Sequence, residues 1–204
     1  MKKKFLACFF MLVIVLSGCS QIQTEELTTQ EGTLVSTPAP DETLDVEERF
    51  PATGVIYQWG IGAEAGSEFA YPEWSAEQVI GKPDAPGCGD YQYAWASAAS
   101  DSIEFLEVTY SVMVYPLEII IYESFNPDQV TKVEVYDPDT GGYYTVLQKN
   151  PIQVDRPCPY ELIIPVDGIK FKTNLIRIAI DQSQLGLGWN EIDAVQLIGS
   201  INKP

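Results

Sequence analysis

The feature that most constrains the fold of this chain is a series of short segments in which apolar and polar residues alternate. The segment Thr131-Lys132-Val133-Glu134-Val135 shows the pattern, which recurs between residues 103 and 198. A period of two is typical of β-strands that bury one face. Seven or eight such segments, with no helical segment able to connect parallel strands, predict an antiparallel all-β sandwich of the jelly-roll type.

The predicted strands are short and are separated by turn residues. They cover residues 103–110, 117–121, 131–136, 143–148, 161–166, 176–181 and 192–198. One helix is predicted at Ser75-Ala76-Glu77-Gln78, which has the spacing of a capping box and is followed by Gly81 and Pro83. The last strand follows a polar corner, Trp189-Asn190-Glu191, and it ends at Gly199.

The segment Asp137–Gly142 has two interpretations. Asp137, Asp139 and Gly141 resemble the start of a calcium-binding loop, but the third Asp and the downstream Glu of an EF-hand are missing. Turn-forming residues between two alternating segments favour a hairpin turn instead.

The N-terminal residues predict an exported, lipid-anchored protein. Lys2–Lys4 precede an apolar run at residues 5–16, which is shorter than the about 20 residues of a membrane-spanning helix. Leu16-Ser17-Gly18-Cys19 then resembles a bacterial lipobox. We therefore expect a signal peptide at residues 1–18 and acylation of Cys19, which places the protein on the extracytoplasmic side of a bacterial cell membrane. An ordinary signal peptide or an uncleaved anchor is the alternative.

Residues 19–49 predict a disordered tether, and the folded domain is expected at residues 50–204. The tether is rich in Thr, Pro and acidic residues and has too few apolar side chains to form a core. Loss of Lys2–Lys4 with the signal peptide would change the formal net charge from −17 to −20. Such an acidic surface repels nucleic acid and anionic lipid, so the membrane would be reached through the acyl chains only.

The cysteine and histidine content limits the possible chemistry. Cys8 lies in the predicted signal peptide and Cys19 is the predicted acylation site, which leaves Cys88 and Cys158. Two cysteines in an exported domain predict a disulfide bond. A catalytic thiol is disfavoured because the chain has no His to serve as its base, and the same absence excludes Ser-His-Asp mechanisms.

Several motifs together resemble discoidin-type, galactose-binding-like domains of bacterial extracellular proteins. They are Trp74–Asp84, Gly89-Asp90, Ala94–Ser97, Tyr122–Pro127 and Trp189–Val195. The resemblance covers about residues 55–200 and implies a jelly-roll sandwich with one short helix near its N-terminal side. Trp95, in an apolar context, is expected in the core.

The resemblance also implies one structural calcium ion between an early loop and the last strand. By position, Asp84 would be the loop ligand and Glu191 the ligand on the last strand, with backbone carbonyls supplying further oxygen atoms. The chain departs from the family pattern because Lys82-Pro83-Asp84 replaces an Asp-Gly pair. The alternative is that Glu191 accepts hydrogen bonds directly from backbone N–H groups of the early loop.

For function, the resemblance favours non-catalytic recognition of a glycan or cell-envelope saccharide by loops at one end of the sandwich. Aromatic rings can stack on sugars while amides bind their hydroxyl groups. The candidate ligand-binding residues are Trp74, Tyr91, Tyr93, Tyr122, Phe125 and Asn126. Each of these rings could instead be packed in the core or at its rim.

Two other functions are possible. A structural or protein-interaction module for an envelope assembly would expose an apolar or aromatic patch too flat for a sugar. A hydrolase would use Glu191 and Asp193, but residues two apart on one strand share a face about 7 Å apart, whereas glycosidase carboxylates flank the sugar. We therefore expect no enzymatic activity.

Overall fold

The computed structural model of the protein describes residues 54–203 as an antiparallel β-sandwich, which confirms the predicted fold class. The predicted signal peptide, Cys19 and the tether lie outside the described residues. No helix within residues 54–203 has the length and apolar character needed to cross a membrane. The strands are β1 (Val55–Trp59), β2 (Gly62–Ala65), β3 (Ile103–Phe125), β4 (Val130–Asp137), β5 (Gly142–Gln148), β6 (Tyr160–Pro165), β7 (Thr173–Asp181) and β8 (Glu191–Ser200).

The long strand β3 belongs to both sheets of the sandwich. Its first part pairs with β2 and β7 in a sheet that continues to β4 and β5. Its second part pairs with β8 and β6, and β8 pairs in turn with β1. The pairing of β3 with β7 is irregular between Thr109 and Val114, and a bulge of this kind lets a strand bend from one sheet into the other.

The sequence predicted two strands where the structure has β3 alone. The reason is a change in the alternation: the buried apolar residues have even numbers at Leu106 and Val108 but odd numbers at Ile119 and Ile121. The register with β8 shifts between Pro116 and Glu118, which reverses the faces. A change of face within one continuous strand has the same sequence pattern as a loop between two strands.

The core lies between the inner faces of the two sheets. Its fully buried large side chains include Trp95, Leu106, Tyr110, Ile119, Ile121, Ile176, Ile178, Ile180, Ile192 and Leu197. Trp95 is fully buried, which confirms its predicted place in the core. Its backbone exchanges two hydrogen bonds with that of Ile192. Burial of this apolar surface is the main favourable contribution to folding.

The predicted capping box at Ser75 is wrong. Residues Ala76–Val79 form a single turn of 3₁₀ helix, and the Ser75 side chain makes no cap hydrogen bond. The Ala76 N–H instead donates to the carboxylate of Glu68 at 2.8 Å. A carboxylate eight residues earlier thus satisfies a helix N-terminus, and the local sequence pattern does not reveal such a partner.

The predicted hairpin between β4 and β5 is confirmed. The Asp137 carboxylate accepts hydrogen bonds from the Asp139 N–H at 2.9 Å and from the Thr140 hydroxyl at 3.0 Å. Gly141 has φ of +70°, a conformation that glycine adopts without steric cost. These contacts are those of a turn that stabilises its own backbone.

Strands β1 and β2 were not predicted from the sequence. In β1, Ile56 and Gln58 are buried while Tyr57 and Trp59 lie on the outer face. Because large side chains occupy both faces, the segment lacks the alternation that marks a half-buried strand.

Gly199→Ala in β8 should destabilise the protein. A β-carbon at this position would lie 2.6 Å from Val114 Cβ and 2.7 Å from the Tyr115 carbonyl oxygen, so the bend of β3 would have to move. We expect a loss of about 1–3 kcal/mol or more in the free energy of unfolding, measured by urea denaturation. Gly62→Ala is the control because its β-carbon would meet nothing closer than Thr109 Cβ at 3.9 Å. Equal stability of the two variants would contradict the close approach.

Candidate functional site

One end of the sandwich gathers three segments that are distant in sequence. They are the loop at residues 84–91, the end of β3 with residues 126–128, and the segment at residues 153–160. The disulfide bond between Cys88 and Cys158, with 5.9 Å between their Cα atoms, joins the first segment to the third, as predicted. Because the bond spans 70 residues, the chain-entropy model assigns it roughly 4 kcal/mol of stabilisation.

These segments enclose an open cavity of about 620 Å³, which we name the Arg156 cleft. Its size is in the range of cavities that hold a small organic ligand. Two aromatic rings, one guanidinium group and several amide and carboxyl groups line it. The lining residues are Cys88, Gly89, Phe125, Asn126, Pro127, Asp128, Gln153, Val154, Asp155, Arg156, Tyr160 and Leu187.

The Arg156 guanidinium is held in a defined position in the cleft wall. It forms an ion pair with the buried Asp128 carboxylate and donates to the Glu161 carbonyl oxygen at 3.2 Å. Asp128 also accepts the Val154 N–H at 2.7 Å. Its φ of +79° lies in the left-handed region, which costs a non-glycine residue about 1–3 kcal/mol. The two guanidinium contacts use two of the five N–H donors of an arginine, so others remain for a ligand.

Asn126 supports the cleft through its side-chain amide. Its Nδ2 atom donates to the carbonyl oxygens of Leu187 at 2.7 Å and Trp189 at 3.0 Å. The amide nitrogen predicted to bind a ligand is therefore bonded to the loop that leads into β8. Asn126 positions that loop.

Glu123, two residues before Phe125 of the cleft, carries a buried carboxyl group that was not predicted from the sequence to have a role. Glu123 is 2% exposed. Its Oε1 atom accepts a hydrogen bond from Asn190 Nδ2 at 2.8 Å, while Oε2 has no hydrogen-bond partner among the described residues. Glu123 has an odd number, as do the buried residues Ile119 and Ile121 of β3. The alternation along β3 could therefore have identified Glu123 as facing the core.

Burial raises the pKa of Glu123 to about 7. The hydrogen bond from Asn190 and the positive charge of Arg156 act in the opposite direction and limit the rise. Removal of the carboxylate from water disfavours its charged form. A large fraction of the Glu123 side chains is therefore protonated at neutral pH.

The start of β8 is tied to the early loop by two more carboxyl groups. Glu191 Oε2 accepts the Tyr91 N–H at 3.0 Å and the Ser124 hydroxyl at 3.2 Å. Asp193 Oδ1 accepts the N–H groups of Asp84 and Ala85, each at 3.3 Å. The contacts with the early loop join residues 100 to 109 positions apart, and the contact with Ser124 joins residues 67 positions apart.

Both carboxyl groups on β8 have raised pKa values. Burial raises the pKa of Glu191 to about 7; the N–H of Tyr91 lowers it and the neighbouring Asp90 raises it further. The pKa of Asp193 is raised by burial, with the N–H groups of Asp84 and Ala85 acting against the rise. The side chains thus form two acidic pairs, Glu191 with Asp90 and Asp193 with Asp84.

The arrangement does not fit the calcium ion that the resemblance implies. The two residues that would share the ion bond to different partners, since the Asp84 N–H donates to Asp193 whereas Glu191 accepts the Tyr91 N–H, and these backbone donors already occupy carboxylate oxygens of both β8 residues. Within residues 54–203 there is no group of three or more His, Cys, Asp or Glu side chains placed to hold a metal. The hydrogen bond from Tyr91 to Glu191 is the contact that the calcium-free alternative predicts.

The six predicted ligand-binding residues do not form one site. Phe125 and Asn126 line the Arg156 cleft, whereas Trp74 lies in a separate aromatic cluster. Tyr122 lies on the outer face of its sheet, with its ring 5.5 Å from that of Trp59. Tyr91 is half-buried at the end of the early loop, and Tyr93 is exposed.

The residues that contribute most to the cleft were not predicted from the sequence. Arg156 and Tyr160 follow a segment without regular alternation, and only folding and the disulfide bond bring them beside Phe125. One sequence signal was available: an Arg two residues before a disulfide cysteine in an otherwise acidic chain.

Glu123→Gln should remove a pH dependence of stability. Because the pKa is raised in the folded state, its contribution to stability is complete below about pH 4.5 and is lost as the pH rises through about 7. Gln keeps the acceptor for Asn190 but carries no charge. We expect the variant to be more stable than the wild type at pH 8, by roughly 3 kcal/mol, and similar to it near pH 4.5, as measured by urea denaturation.

Glu73→Gln is the matched control, since Glu73 is exposed. The control should show the same pH profile as the wild type. A Glu123→Gln profile parallel to that of the wild type between pH 4.5 and 8 would contradict a buried, raised-pKa carboxyl group at position 123.

Calcium should not change the thermal stability of the protein. The N–H donors directed at Glu191 and Asp193 occupy oxygens that a calcium ion would need. We expect equal melting temperatures in calcium and in chelator, followed by circular dichroism. A melting temperature that rises with calcium concentration in the wild type but not in Glu191→Gln would show that calcium binds at Glu191.

Comparison with known proteins identifies the family of this chain. Residues 49–204 match the family model described as the C-terminal SD scarf domain of pappalysin-1. Bovine F-box/LRR-repeat protein 4 is 28% identical over 111 residues, an alignment that covers 50% of this chain and 18% of that protein. The chain therefore matches less than a fifth of the length of this relative.

Two solved structures have the same fold. Chitosan-binding module 1 from a Paenibacillus sp. IK-5 chitosanase/glucanase has a TM-score of 0.51 and 12% identity, covering 68% of this chain and 94% of the module. A Clostridium perfringens module, CpGH89CBM32-4, in complex with GlcNAc-α-1,4-galactose, has a TM-score of 0.51 and 13% identity, covering 68% of this chain and 89% of that module. These likenesses show the jelly-roll sandwich fold that the sequence resemblance implied.

Proposed function

The chain belongs to the family of the C-terminal SD scarf domain of pappalysin-1, and from this premise we propose that it is a non-catalytic module that binds a glycan in the Arg156 cleft. The observation that carries the proposal is the cleft itself, a cavity of about 620 Å³ at the loop end of the sandwich. Two solved modules of the same fold are described by their carbohydrate ligands, which supports a saccharide as the ligand class.

The chemistry of the cleft suits a sugar. Phe125 at the end of β3 and Tyr160 at the start of β6 supply aromatic faces, which pack against the apolar C–H faces of a pyranose. Arg156, fixed by Asp128, supplies donors for ring hydroxyl groups, and Gln153 and Asp155 add amide and carboxyl groups. A site with fixed donors loses little entropy when it binds.

Tyr160→Ala is the test of this proposal. The purified full chain is applied to a glycan array, and the affinity for its best ligand is then measured by calorimetry. We expect the variant to bind at least about tenfold more weakly, because the ring provides stacking area at the cleft. Tyr57→Ala is the matched control, because Tyr57 is 63% exposed on the outer face of β1. Absence of binding to any glycan, or equal affinity of Tyr160→Ala and the wild type, would refute the proposal.

A second candidate function is binding of an envelope protein, and one surface favours it. Tyr57 and Trp59 on β1, Ile120 and Tyr122 on β3, and Ile163 on β6 lie on one outer face, as the strand registers place them. Tyr57 is 63% and Ile163 51% exposed. A flat, aromatic and apolar face is what a protein-interaction module would expose.

The same two variants separate the candidates. If the second function holds, Tyr57→Ala should reduce crosslinking to an envelope protein in cells while Tyr160→Ala leaves it unchanged. The reverse pattern, with loss of glycan binding in Tyr160→Ala only, supports the glycan.

We further propose that the protein is anchored to the extracytoplasmic side of a bacterial membrane through acylated Cys19. The lipobox-like segment Leu16–Cys19 and the short apolar run before it support the anchor. Cys19→Ala should abolish incorporation of labelled fatty acid and release the protein from the membrane fraction. Continued labelling would contradict the lipobox assignment.

A further inference from the structure

A second, smaller cavity is bordered by the same short segment, Cys88–Asp90, that borders the Arg156 cleft. Cys88 and Gly89 line the cleft, whereas Asp90 lines the smaller cavity. Its volume is about 60 Å³, well below the roughly 300 Å³ at which cavities begin to hold whole small molecules. It has room for one small chemical group. The lining residues are Phe69, Trp74, Asp90, Ala96, Trp189 and Glu191, and we name it the aromatic pocket.

Three aromatic rings form most of its wall. The Phe69 ring lies 5.4 Å from that of Trp74 and 5.3 Å from that of Trp189, nearly perpendicular to each. Both indole N–H groups are bonded within the protein, Trp74 to Asp90 at 3.3 Å and Trp189 to the Ser97 carbonyl oxygen at 3.0 Å. The indoles therefore offer a ligand their π-electron systems, which carry partial negative charge on their faces.

The polar side chains at this pocket are acidic. Asp90 is exposed, and Glu191 is almost fully buried with its Oε2 atom bonded to Tyr91 and Ser124. Among residues 54–203, no Lys or Arg side chain lines the pocket. The combination of aromatic faces with carboxyl groups repels an anion and attracts a cation.

The geometry points to a binding site for a small alkylated ammonium group, such as the trimethylammonium end of a choline-containing compound. Aromatic faces attract such a group through its diffuse positive charge, and its methyl groups replace water at the ring surfaces. A hydrated metal ion would gain nothing from three rings, and a pyranose needs more volume than the pocket has. The site is separate from the Arg156 cleft, so this inference does not depend on the glycan.

The backbone holds Trp74 in place for this role. Its φ of +54° lies in the left-handed region that non-glycine residues seldom adopt. Its N–H donates to the Gln92 carbonyl oxygen, and its own carbonyl oxygen accepts the Ala96 N–H. These contacts fix the Trp74 backbone against the segment that supplies Ala96 to the pocket, and the bond from the indole N–H to Asp90 fixes the ring. A ligand therefore meets a preformed site.

The experiment compares choline with 3,3-dimethylbutan-1-ol, its neutral isostere, by calorimetry on the full chain in the presence of a metal chelator. We expect saturable choline binding in the millimolar range and at least about tenfold weaker binding of the neutral compound, because only the cation gains from the aromatic faces and carboxyl groups. No choline binding, or equal binding of the two compounds, overturns the inference.

Variants identify the site. Trp74→Ala and Asp90→Asn should each weaken choline binding, and Asp90→Asn keeps the shape of the side chain if removal of the indole disturbs folding. Trp59→Ala, at a tryptophan of the outer sheet face, is the matched control and should bind choline as the wild type does. Loss of binding in Trp59→Ala equal to that in Trp74→Ala would overturn the assignment.

The same titrations distinguish the aromatic pocket from the Arg156 cleft. Tyr160→Ala, which alters the Arg156 cleft, should retain choline binding, and Trp74→Ala should retain any glycan binding. Failure of glycan binding in the wild type with intact choline binding would refute the proposed function alone. Loss of choline binding in Tyr160→Ala would refute the separate pocket.

Discussion

The structure depends most on the way β8 is held at its polar start. β8 pairs with β1 on one side and with β3 on the other, so it occupies the centre of its sheet. Where it begins, Glu191 and Asp193 accept hydrogen bonds from N–H groups of the early loop. Buried backbone N–H groups need partners, and these carboxyl groups supply them across about 100 residues of chain.

This attachment determines where the two cavities lie. Because Glu191 holds the Tyr91 N–H and the disulfide bond holds Cys88, the segment between them is fixed at both ends. The segment contributes Cys88 and Gly89 to the lining of the Arg156 cleft and Asp90 to that of the aromatic pocket. A flexible segment here would leave neither cavity with a defined wall.

Burial of the Glu123 and Glu191 carboxyl groups has an energetic cost that their hydrogen bonds offset in part. Glu123 and Glu191 are almost fully buried, and their pKa values are raised to about 7, so both are partly protonated at neutral pH. A charged carboxylate in this environment is disfavoured unless it is paired or hydrogen-bonded. The protein keeps the groups because they accept hydrogen bonds from Asn190, Ser124 and Tyr91, which join β3, β8 and the early loop.

The sequence by itself determined the fold class, the hairpin at Asp137–Gly142, the buried Trp95 and the Cys88–Cys158 disulfide bond, because alternation, turn residues and cysteine count are local or compositional signals. Only the tertiary structure decided that β3 is one strand, that Glu68 caps the 3₁₀ turn, and that Arg156 and Tyr160 line one cleft with Phe125. It also placed the predicted aromatic residues at separate surfaces. The physical reason is that these relations join residues distant in the chain, and their geometry is set by strand register and loop packing, which no short sequence pattern contains.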